Sequence, residues 1–147
     1  MNTVRTSLSA TSDANTGVRR FARIGSFVLG SLFALAILLQ VFLAGGGIFA
    51  SSSWWPMHEI FGMAISVLPL LFLVLAWIGQ LGRQSLWLSG LALVLVALQS
   101  FLVTLPGTLG VPVLAALHLV NALVIFALAL WLTLRAWQGV RGDRQTV

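Results

Sequence analysis

The chain has 147 residues, 59% of them hydrophobic and only 7% charged, with no cysteine and a formal net charge of +5. Soluble domains carry roughly 25% charged residues, so this composition excludes a water-soluble domain. The missing thiols exclude disulfides, thiolate metal sites and covalent c-type haem attachment.

Residues 1–22 are rich in Ser, Thr, Asn and Asp at their start and predict a disordered cytoplasmic tail. A transmembrane domain over 23–138 and a short tail over 139–147 follow. Four apolar runs lie in the central part: Ile24–Ile48, Met57–Gly79, Leu86–Leu105 and Val111–Trp137. Each reaches the ~20 residues needed to cross a ~30 Å hydrocarbon layer. The polar leader before the first run is too long for a signal peptide, which favours an uncleaved anchor. Pro69 removes a hydrogen bond to the Ile65 carbonyl and predicts a kink in the second span. Small residues (Gly30, Ser31 and Ala34; Ser89, Gly90 and Ala92) predict close helix approach.

All the basic residues are arginines, at 5, 19, 20, 23, 83, 135, 141 and 144. Loops 49–56 and 106–110 carry no charge. This is the positive-inside pattern of a bacterial inner-membrane protein with both termini cytoplasmic. The charge therefore speaks for topology and lipid contact, and against nucleic acid. Trp54 and Trp55 fall at the outer interface, and Trp77, Trp87, Trp131 and Trp137 at the inner one.

The outer ends of spans one and three share L-Q-x-F-L, at Leu39–Leu43 and Leu98–Leu102. From Gln40 to His58 is 18 residues and from Gln99 to His118 is 19, with Gly62 and Ala122 four positions after each histidine. This pattern predicts an all-α four-helix bundle made of two like hairpins about a pseudo-twofold axis along the membrane normal. In such a bundle spans two and four are diagonal, on the order of 12–14 Å apart. His58 and His118 then face each other across a gap too wide for two imidazoles to touch but suited to a flat cofactor. Two neutral imidazoles on one iron point to haem b. Gln40, Gln99 and Asn121 are candidates to orient the two rings, and Gly62 and Ala122 to make room for the macrocycle. Glu59 is expected in the first turn of span two, where a carboxylate complements the helix dipole. His58 and Glu59, being adjacent, cannot project together onto one metal.

The expected function is single-electron transfer near the outer face, with a quinol or periplasmic protein as redox partner. Enzymatic activity and oligomeric state stay open. The alternative is a structural or interaction protein whose His and Gln side chains clamp helices together, at ~0.6 kcal/mol per bond.

"QVFLAG", "HEIFG", "LQSFL" and "LHLVNAL" together resemble a group of short four-span bacterial membrane proteins of unknown function. More remotely, histidines near the outer ends of spans two and four are similar to one half of the haem A synthases. That resemblance implies haem ligation by His58 and His118. The chain departs from it in having one half only, and in carrying Glu59 after the histidine where the synthases place a glutamate before it.

Overall fold

A computed structural model describes residues 2–144, with side chains over 15–142. Helix α1 (Asn2–Phe49) leads through a 3-10 turn at Ser52–Trp54 into α2 (Trp55–Ile65) and α3 (Leu68–Ile78). Helix α4 (Arg83–Thr108) and a second 3-10 turn (Pro112–Ala116) then lead to α5 (Leu117–Arg144). Four stretches are long and apolar enough to cross a membrane: Asn15–Phe49, Ser52–Ile78, Arg83–Thr108 and Pro112–Gly142.

Span two is split where the proline requires it. Pro69 has no N–H for the Ile65 carbonyl, so α2 ends at Ile65 and α3 starts at Leu68. The Ser66 hydroxyl donates to the Met63 carbonyl at 2.7 Å, closing the end of α2. The backbone is helical through residues 2–22 and through 139–144, since no proline stops the ladder from extending outward from the spans. The expectation for residues 1 and 145–147 lies outside the described residues.

Helix α1 packs on α2, α3 and α5, and α4 packs on α3 and α5. The spans thus follow one another round a square, with spans two and four diagonal. The α1–α5 pair is the most extensive. Its buried stripes recur every three or four residues: Ala22, Ser26, Phe33 and Ile37 on α1, and Ile125, Ala129, Leu132, Ala136 and Val140 on α5. Small side chains on both stripes let the backbones approach, which is the main source of helix affinity in lipid. The serines cost little there. Ser26, Ser85 and Ser89 are fully buried, and each hydroxyl donates to the carbonyl four residues back, at 2.6–2.9 Å.

Of the small residues expected at helix contacts, Gly30, Ala34, Ser89 and Ala92 are buried in them. Gly90 is not, because the buried stripe of α4 runs Ser85, Ser89, Ala92 and leaves Gly90 on another face. A Cβ there would meet nothing within 4 Å.

Candidate functional site

The two histidines meet at the end of the bundle opposite Arg23 and Arg135. His58 is the fourth residue of α2 and His118 the second of α5, each helix entered through a 3-10 turn. Both rings are half-buried, with centroids 6.2 Å apart and planes inclined by 62°.

Each ring is held from the preceding span in the same way. His58 Nδ1 lies 3.1 Å from the Gln40 carbonyl, and His118 Nδ1 lies 3.2 Å from the Gln99 carbonyl. A carbonyl oxygen only accepts, so in the neutral ring Nδ1 carries the proton and Nε2 keeps its lone pair. The Gln residues were expected to orient the rings, and they do so here through their backbones rather than through their amides. The Gln40 amide Nε2 instead donates to the His58 carbonyl at 3.0 Å. The Gln99 Oε1 accepts from Asn121 Nδ2 at 2.7 Å, and the same Nδ2 reaches the Leu95 carbonyl at 2.8 Å. Asn121 is thus buried one turn below His118 as a tie between α4 and α5.

Gly62 does not border open space. A Cβ on it would fall 2.5 Å from Gln40 Nε2, so the Gln40 amide fills the gap expected for a macrocycle edge. Ala122 is half-buried beside Asn121. Gln40 Oε1 is buried without a hydrogen-bond partner among the described residues. Glu59 is exposed and lies in the second turn of α2, because the helix starts at Trp55 rather than near His58. It is therefore too far along to complement the dipole. Among the described residues, no group of three His, Cys, Asp or Glu side chains converges on one point.

The amide arrangement carries a test. Gly62→Ala should cost about 1 kcal/mol more in the wild type than in a Gln40→Ala background, where no amide is displaced. Unfolding in mixed detergent micelles measures the difference. Equal effects in the two backgrounds would show that Gln40 and Gly62 are not coupled.

Residues of the glycine run also belong to this end, and the sequence reading missed them. A Cβ on Gly46 would fall 2.6 Å from the Trp54 indole, and one on Gly47 2.7 Å from that of Trp55. Trp55 in turn sets its ring edge against His58, with centroids 5.9 Å apart at 86°. Phe42 meets Trp54 edge-on at 5.7 Å. The tryptophans expected only as a membrane belt are therefore seated on the first span, and one of them walls the histidine pair. Three consecutive glycines just before a tight turn and a Trp-Trp pair were the available signal.

Residues 40–105 match the model of a family of unknown function, DUF6220. The matched stretch holds Gln40, His58, Gly62 and Gln99 and stops short of His118 and Asn121. It covers less than half of the chain. No curated protein and no solved structure gives a significant match.

Proposed function

We propose that this chain is a small electron-transfer protein of the bacterial inner membrane in which His58 and His118 would hold the iron of a haem b. The observation that carries this reading is the paired rings with both Nδ1 atoms tied back to carbonyls. The two rings stand 6.2 Å apart, centre to centre. Tying Nδ1 to a carbonyl is also the usual way a protein fixes a ligating histidine and raises its basicity. Two imidazoles, with no third His, Cys, Asp or Glu converging on them among the described residues, suit a metal whose remaining positions are filled by its own macrocycle. Bound iron of this kind supplies one-electron chemistry.

The two histidines would suit such a group, whereas the Gln40 amide lies where Gly62 was expected to make room for it. His58 and His118 would hold the iron, and Trp55 would keep water from the His58 side. Gln40 Oε1 offers an unmet acceptor, and a quinol hydroxyl is a donor of the kind that would satisfy it. With the arginine-rich end in the cytoplasm, the histidines lie near the outer face, within reach of a periplasmic partner. The matched Gln–His ties support an origin as two like hairpins.

The test is a dithionite-reduced minus oxidised spectrum of the detergent-purified chain expressed with haem precursor, beside His118→Ala. Low-spin α and Soret bands should appear in the wild type and disappear in the variant. A folded, colourless wild type would sink the reading. It would favour the second one, a helix clamp, for which the Gln40 amide over Gly62 and the Asn121–Gln99 bond already speak.

A further inference from the structure

At the end away from the histidines, a cavity of about 270 Å³ opens between α1, the α3–α4 turn and α5. Its polar lining is Arg23, Gln80, Arg135 and Gln138. The cavity is open to the surface, and at ~30 Å³ per water its volume has room for a small hydrated anion.

The lining is built, rather than a chance gathering of surface arginines. Arg23 Nε donates to the Gly79 carbonyl at 2.7 Å, which fixes the guanidinium beside the end of α3. The Arg135 guanidinium lies over the Trp131 ring, 5.1 Å from its centroid. Gln80 has φ of 51°, a left-handed conformation that a residue with a Cβ seldom adopts. Its turn is pinned by Gln80 N–H to Trp77 O and Leu81 N–H to Ala76 O, at 3.1 and 3.0 Å. Gly139 keeps α5 close beneath, since a Cβ there would fall 3.0 Å from Leu81 Cδ2.

We propose that this cavity binds a phosphate group, supplied by the headgroup of an anionic lipid or by free phosphate. Two guanidinium groups and two side-chain amides on one small cavity match a tetrahedral oxyanion, and the planar fork of arginine favours phosphate over chloride. Basic pockets between spans at the level where helices leave the apolar layer are where lipid phosphates gather. Trp131 and Trp137, each under an arginine, mark that level. The site is independent of the histidine pair.

The full chain in a neutral detergent is titrated with phosphatidylglycerol, phosphatidylcholine and inorganic phosphate, read by native mass spectrometry and thermal unfolding. Saturable binding of phosphatidylglycerol in preference to phosphatidylcholine is expected. Arg135→Gln should weaken it at least tenfold and Gln138→Leu severalfold. Arg141→Gln, outside the cavity, should change it less than twofold. Arg23→Gln also removes the tie to Gly79, so Gln138, which is exposed, supplies the variant least able to disturb folding. If inorganic phosphate competes at similar affinity, the site is a phosphate site filled from solution. If it does not compete, the lipid is the source. Equal retention of both lipids without phosphate binding, or equal loss in Arg135→Gln and Arg141→Gln, would overturn the proposal.

Discussion

Gly30→Leu should destabilise the bundle by about 3 kcal/mol, measured by detergent-micelle unfolding followed by circular dichroism. Gly30 is buried against Thr133 of α5 and Phe72 of α3. A bare Cβ would fall 2.6 Å from Thr133 Oγ1, 3.1 Å from Phe72 Cε2 and 3.4 Å from the Thr133 backbone. The hydroxyl cannot swing aside without losing its 2.7 Å bond to the Ala129 carbonyl. Phe72 is 4% exposed and packed in a core cluster, so it too can move only at a cost. Leucine therefore forces the helices apart and takes the core clusters of Phe33, Ile37 and Ile125 and of Phe72 and Leu132 with them. The matched control is Gly45→Leu, where a Cβ would meet nothing within 4 Å. Better helix propensity and open space should hold its effect within about 1 kcal/mol of zero. Equal losses at both positions would mean that the α1–α5 approach does not limit stability.

Asn121→Leu should cost about 2 kcal/mol by the same measurement. Interhelical hydrogen bonds in membranes average ~0.6 and reach ~1.7 kcal/mol, and Asn121 makes two of them. Replacement also strands Gln99 Oε1 as an unmet acceptor. Leucine recovers little in return, because lipid is as apolar as the bundle interior. Adding Gln99→Leu removes the stranded acceptor, so the double variant should fall about 1 kcal/mol short of additivity. Strict additivity would remove Asn121 from the α4–α5 tie. The position matters for the site as well, since the backbone of Gln99 is what holds His118 Nδ1.

Hydropathy decided most of the fold, because runs such as Ile24–Ile48 have no alternative to a membrane-spanning helix. Pro69 was equally legible, since a missing N–H acts wherever the residue sits. The site was legible only as far as residue type and span order reach. Gln40–His58 and Gln99–His118 could be paired from their spacing, but not the atoms involved. A backbone carbonyl is invisible in a residue code, so the amides drew the attention due to the main chain. Gly30 and Gly90 look alike in a string, and only the rotation of each helix decides which one touches a neighbour. Glu59 moved to the second turn because α2 began at Trp55, and helix starts depend on turns such as Ser52–Trp54 that periodicity does not show. Gly46 and Gly47 needed knowledge of which indole folds back onto them.

The break at Ser66–Val67 divides span two into halves of unequal tenure. Helix α3 buries Pro69, Phe72 and Ala76, whereas α2 contributes no buried residue. Besides its packing along α1, α2 is held by the reciprocal Gln40–His58 pair of bonds and by Trp55 resting on Gly47. Local opening costs least where apolar contacts are fewest. His58 therefore rides on the loosely held arm and His118 on the anchored one.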